Sequence, residues 1–260
     1  MPQPPQLPVI LLVSAVGGAM NAVAGGGTLL VFPALLGLGV PPVAANATCT
    51  VALWPGALSS MWGYRRELSG AGGWAARLVL PSVLGGLVGA GLLLLGGDAV
   101  FARLVPFLVL GATLLFMAQR PLVRLLVGRR PPAAPPDGAL PVPTAAALVV
   151  QFLVAVYGGY FGAGAGILML AALGLQGFAN IHQMNGLKNW SALCFNAVAI
   201  ATFALNGAVQ WRLAAVMAVG TTVGGYAAAG VARRAPQDAV RGAVALIGFA
   251  SAAWLLLRGG

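Results

Sequence analysis

Residues 21–40 read Asn-Ala-Val-Ala-Gly-Gly-Gly-Thr-Leu-Leu-Val-Phe-Pro-Ala-Leu-Leu-Gly-Leu-Gly-Val, a glycine cluster at 25–27 set between two apolar runs. The run before it reaches back to about residue 7, while the run after it, 28–40, is short. At 1.5 Å per residue a helix over 28–40 extends only about 20 Å, less than the ~30 Å of hydrocarbon that a spanning helix crosses. A glycine break followed by a helix too short to span reads as a hairpin or broken helix pair held at membrane depth.

Outward from this stretch the chain continues in the same style. Further apolar segments fall at 43–63, 74–96, 99–119, 143–160, 167–178, 183–205, 212–232 and 239–257. Of the 260 residues 60% are hydrophobic and only 7% charged, where a soluble domain carries about a quarter. Four acidic side chains cannot keep such a surface in water, so the solvent for it is lipid. The basic excess, 14 Lys and Arg against 4 Asp and Glu, sits in short clusters between apolar runs, at Arg65-Arg66, Arg120 to Arg130 and Arg233-Arg234. That placement fits lipid headgroups and excludes the dense soluble patch of a nucleic-acid binder. The first apolar run has no positive region before it and reads as a membrane segment rather than a cleaved signal.

The segment 167–178 repeats the opening pattern, since it also is short and also follows glycines, Gly162-Ala-Gly164-Ala-Gly166. Asn46 lies 21 residues after Gly25, and Asn185 lies 21 after Gly164. Gly86 and Gly91 match Gly225 and Gly230 at an offset of 139. The chain therefore divides into a first transmembrane repeat, 1–119, a basic Pro-rich cytoplasmic linker, 120–142, and a second repeat, 143–260. With five segments in each half, the loops 64–73, 120–142 and 233–238 share one side and gather most of the arginines, as the positive-inside rule prefers. An odd number of segments makes the repeats inverted, with both termini outside. The expected fold is all-α: a polytopic integral membrane bundle of two related, inverted repeats with Gly-broken short helices.

Polar groups at membrane depth are costly and mark function or a specific partner. His182, Asn185, Asn189 and Asn196 recur at helical spacing on one face, with Lys188 beside them. The first half carries a milder version, Asn46 and Thr50 one turn apart with Thr48 between. Lys188 has two readings: it completes an anion site with its flanking amides, or it snorkels to headgroups from near its helix start. His182, at that start, reads as interfacial. The glycine clusters Gly25-Gly26-Gly27 and Gly164-Ala-Gly166 open short helices whose first N–H groups suit an anion; the competing reading is close helix packing. The tryptophans near segment ends read as interfacial anchors, and Cys49 and Cys194 as buried small residues without metal-ligand spacing.

Phosphate-loop, zinc-protease, haem, iron–sulfur and nucleophile-elbow signatures are missing. One histidine with no buried acid offers no hydrolase or redox centre, so no enzyme activity, cofactor or metal is expected.

The pattern Asn21-Ala-Val-Ala-Gly-Gly-Gly-Thr-Leu-Leu-Val-Phe-Pro33, with Asn46-Ala-Thr48 and the Tyr64-Arg65-Arg66 loop, resembles the TauE/SafE family of bacterial sulfite and organosulfur anion transporters. The second half, with its own glycine cluster and the Asn185-Gly-Leu-Lys188 helix, fits that family's repeated halves. The resemblance implies a secondary carrier for sulfite, thiosulfate or short organosulfonates in the bacterial inner membrane. This chain departs from the pattern where it reads Leu170-Ala-Ala-Leu, in place of a proline matching Pro33.

The resulting expectation is alternating access by two halves. Lys188 supplies charge, and Asn185, Asn189, Asn46, Thr50 and Thr48 supply hydrogen bonds. Asn21, Gly25, Gly26, Gly27, Gly164 and Gly166 frame the substrate. An anion-selective channel, or a carrier for other small organic anions, is the alternative, and a non-transporting membrane scaffold or enzyme subunit a further one. The partners are a small anion and the bilayer, not nucleic acid. The sequence leaves oligomeric state open, a homodimer included.

Overall fold

The computed structural model describes residues 7–24, 27–128, 140, 142–178, 180–231 and 237–258. Among the described residues all regular structure is helical: α1 (Leu7–Ala24), α2 (Gly27–Gly37), α3 (Pro42–Gly63), α4 (Arg65–Ser69), α5 (Gly72–Gly128), α6 (Ala145–Tyr160), α7 (Ala165–Leu175), α8 (Ile181–Leu205), α9 (Trp211–Val231) and α10 (Gln237–Arg258). By length and composition one of them, over Gly72–Leu122, is long and apolar enough to cross a membrane. Leu7–Met20, Gly27–Gly37, Ala145–Tyr160, Ala165–Leu175 and Arg241–Leu257 are apolar but shorter. Large apolar side chains such as Leu12, Leu80, Leu95, Leu153 and Leu246 lie exposed along the helices, the inverse of a soluble surface.

Three differences from the sequence-based expectation stand out. Segments 74–96 and 99–119 join into α5, which is interrupted only at Gly97, where φ is 65° and ψ is −176°. That left-handed conformation suits glycine and breaks the helix without a loop. The second difference is that α5 runs on through Pro121 to Gly128, so the first part of the expected linker is helical. Leu122, Leu125 and Leu126 continue the helical apolar spacing there. Residues 129–139 of that linker lie outside the described residues. A short helix, α4, also occupies what reads as a loop at 64–73.

The chain forms two compact units, each assembled from segments far apart in the sequence. The first comprises Met1–Gly56, Leu92–Met117 and Ile200–Gly260. Its axis is the crossing of α1 on α9, where backbones meet through small residues. A Cβ on Gly224 would overlap the Ala15 carbonyl, one on Gly18 the Thr221 carbonyl, and one on Gly220 would stand 2.7 Å from the Leu11 oxygen. Such approach maximises dispersion contact where water supplies no hydrophobic drive. Thr221 Oγ1 donates to the Ala52 carbonyl at 3.1 Å and ties α9 to α3. The start of α3 is capped from a distance, because Asp98 Oδ1 accepts the Val43 N–H at 2.8 Å. Asp98 thus fills one of the acceptor positions that a helix N-terminus leaves vacant. Arg241 donates to the Phe116 carbonyl at 2.8 Å and stacks on the same residue's ring.

The second unit comprises Ala57–Gly91 and Ala118–Ala199. Its corresponding crossing is the first part of α5 on α6. A Cβ on Gly85 would stand 2.5 Å from the Phe152 oxygen, and Cβ atoms on Gly89 and Gly159 would overlap the Val156 and Gly86 carbonyls. Phe195 of α8 lies against Gly86 and Gly158. Trp74, Leu78, Val154, Met169, Leu173 and Leu187 form the apolar core.

Candidate functional site

Helix α8 begins under a side-chain cap, with Asn180 Oδ1 accepting the N–H groups of His182 (2.9 Å) and Gln183 (3.4 Å). That bond fixes the first turn, from which Asn185 and Lys188 follow. Asn185 Nδ2 donates to the Ile181 carbonyl at 2.9 Å, which orients the amide so that Oδ1 faces along the helix. Lys188 Nζ donates to that oxygen, also at 2.9 Å. An ammonium group has three donors, so two remain beyond this bond. Among the described residues no carboxylate pairs with Lys188, and its side chain is half-buried.

The second glycine cluster supplies the facing wall. Gly162 and Gly164 adopt φ of 82° and 84°, the left-handed region that turns the chain from α6 into α7. Tyr157 donates its phenolic O–H to the Ala163 carbonyl at 2.6 Å and pins this turn. At the start of α7, Ala165 N–H donates to Gly162 O, and the N–H groups of Ile167 and Leu168 donate to Gly164 O, leaving the Gly166 N–H without such an acceptor. The aliphatic stem of Lys188 lies over Gly166, where a Cβ would stand 3.3 Å from Lys188 Cδ. Residues from two different helices are thus in contact, the lysine stem of one over the first turn of the other.

The other faces of α8 are anchored. Gly186 faces the backbone of α4, with a Cβ there 3.5 Å from Leu68 N, and Trp190 Nε1 donates to the Ala75 carbonyl at 3.0 Å. Ser191, one turn beyond Lys188, is wholly buried and its hydroxyl has no partner. Asn189 is half-buried. The second unit therefore brings together Lys188, Asn185, Asn189, Gly164 and Gly166.

The first-half candidates belong to the first unit, where the Thr50 and Thr48 hydroxyls bond to backbone groups. Asn46 is buried, and its backbone carbonyl accepts the Thr50 hydroxyl at 2.9 Å. The Thr48 hydroxyl accepts the Gln210 N–H at 3.1 Å, at the entry to α9. Gly27 opens α2 and is buried. Gly25, Gly26 and the side chain of Asn21 lie outside the described residues.

One polar pair was not among the sequence-based candidates. Gln151, buried in mid-α6, donates from Nε2 to Ser82 Oγ on α5 at 2.8 Å, and its Oε1 has no partner. Gln151 borders a small pocket with Trp74, Leu78, Ala147, Met169 and Gln176. The signal was present, since Gln151 alone interrupts the apolar run Ala145–Tyr157. Among the described residues no group of three His, Cys, Asp or Glu side chains could hold a metal ion.

Chemically, an unneutralised ammonium with two open donors beside an open backbone N–H favours a small oxyanion. Comparison with known proteins finds a family model and relatives named as membrane transporters. The family model described as sulfite exporter TauE/SafE matches residues 10–255. A probable membrane transporter protein of Haemophilus influenzae is 27% identical over 255 residues, covering 94% of this chain and 91% of that one. The probable membrane transporter protein YfcA of Escherichia coli K12 is 27% identical over 258 residues, covering 98% and 91%. ORF9 of a Sinorhizobium species, also named a probable membrane transporter protein, is 29% identical over 222 residues, covering 84% and 80%. No solved structure gives a significant match.

Proposed function

This chain belongs to the sulfite exporter TauE/SafE family, and from that premise we propose that it is a secondary carrier of small sulfur-containing anions: sulfite, thiosulfate or short organosulfonates. It is a multi-pass protein of the bacterial inner membrane with no enzymatic step. The observation that carries this reading is Lys188, held by Asn185 and laid across Gly166 with no carboxylate neighbour among the described residues. A lysine in such a place costs least when an anion meets it, and a carrier's anion is there only part of the time.

The finer architecture in this reading is a pair of inverted repeats that rock to expose the site alternately. Two matched helix crossings support related halves. The pairs α1 with α9 and α5 with α6 each join one helix of the first half to one of the second. Their contact glycines Gly85 and Gly86 stand 139 residues before Gly224 and Gly225.

Uptake into proteoliposomes tests the proposal, with sulfite, thiosulfate, a short sulfonate and acetate as control, for the natural chain and Lys188→Gln. Saturable uptake stimulated by substrate on the far side, and lost in the variant, is the expected result. Current without saturation or counterflow makes the protein a channel. Failure of a folded preparation to move any sulfur anion overturns the assignment.

A further inference from the structure

We infer that the Lys188 site selects singly charged over doubly charged sulfur oxyanions, an inference that rests on the carrier reading and narrows its substrate class. Charge is the first reason. In the second unit, Arg65, Arg66 and Arg77, on the elements packed beside α8, are exposed to the surroundings. Lys188 is half-buried and makes its one bond to a neutral amide. Among the described residues the site therefore offers one positive charge. A monoanion seated on Lys188 gives a neutral pair. A dianion leaves one negative charge unpaired and must shed a far larger hydration shell to enter, and neither cost has a compensating group.

The donors also suit a sulfonate. A sulfonate group has three oxygens that together carry one charge. Lys188 has two N–H groups left after its bond to Asn185 Oδ1. The further donor is the Gly166 N–H, under the Lys188 stem. Lysine and backbone N–H thus lie together, and only one of the two carries charge.

The test uses three anions that are tetrahedral at sulfur and fixed in charge through neutral pH: methanesulfonate, sulfate and thiosulfate. Uptake of each into proteoliposomes is measured on the natural chain, so no variant need fold. The expected result is saturable methanesulfonate uptake, with kcat/KM for sulfate and thiosulfate at least about tenfold lower. Uptake of thiosulfate or sulfate equal to or better than that of methanesulfonate overturns the inference and leaves the carrier standing. Absence of uptake for all three, and for sulfite, overturns the carrier reading and the inference with it.

Discussion

Lys188 and Gly166 form one device: the lysine stem crosses the first turn of α7, and a Cβ at 166 would stand 3.3 Å from Lys188 Cδ. Contact at that range forces the neighbour to give by a few tenths of an ångström, and a lysine stem can do so. Gly166→Ala is therefore expected to keep the fold and displace the ammonium. Its effect on stability is expected to be neutral or favourable, by up to about 1 kcal/mol, because alanine outranks glycine inside a helix. Substrate KM is expected to rise several-fold. Thermal unfolding in detergent together with uptake kinetics checks this, and a variant that loses stability while keeping its KM would show that the glycine serves packing alone.

Asp98 tests whether an acid in this acid-poor chain serves structure or transport. Its carboxylate accepts the Val43 N–H at the start of α3, and removing such a cap costs about 1 kcal/mol. Asp98→Ala is expected to lower the unfolding midpoint while leaving substrate affinity in place. Asp98→Asn, which keeps an acceptor, is expected to recover most of the loss. A large drop in uptake by a stable Asp98→Asn protein would instead point to a role for the charge in coupling.

The helix crossings make a sharper contrast. Gly224 and Gly89 face backbone carbonyls of Ala15 and Val156, which cannot move aside, so alanine at either is expected to cost about 1–3 kcal/mol or prevent folding. At Gly91 and Gly111 an added methyl would meet only open space, and alanine there is expected to be neutral or to stabilise by up to about 1 kcal/mol. Expression level and thermal unfolding of the four variants measure the difference. Equal behaviour of all four would mean that α1 and α9, and α5 and α6, do not meet through these glycines.

Much of this arrangement was legible in the sequence, because apolar runs and glycine breaks are local signals. The segments at 7–24, 28–40, 43–63, 143–160 and 183–205 correspond closely to α1, α2, α3, α6 and α8. Lys188 and Asn185 are three residues apart, so their pairing follows from helical geometry. What sequence could not supply is partnership across distance. Nothing near Asp98 announces that it caps a helix 55 residues earlier. The spacing of Thr48 says nothing of the N–H from Gln210, 162 residues away, that its hydroxyl accepts. The grouping of α1 with α9 likewise depends on which small residues face each other, and the apolar periodicity of a helix does not say which partner its face will meet.

Gln151 and Ser82 allow the energetics of a buried polar pair to be separated from its parts. The amide donates to the hydroxyl at 2.8 Å while its own oxygen has no partner, and both side chains are buried. Ser82→Ala strands the whole amide and is expected to cost about 1–3 kcal/mol, the penalty of a buried group left unsatisfied. Gln151→Leu removes the amide and fills its space with apolar atoms, while the Ser82 hydroxyl remains able to turn to its own helix. The double variant leaves no buried polar side chain at this position, so it is expected to lie closer to the natural chain than the sum of the two single changes. The difference between sum and double is the coupling, expected at about 1 kcal/mol or more for residues in direct contact. Thermal or denaturant unfolding of all four proteins measures it, with methanesulfonate uptake run alongside. A double variant as stable as the natural chain but impaired in uptake would move Gln151, and the pocket it borders with Gln176, from the packing of the second unit into its transport path.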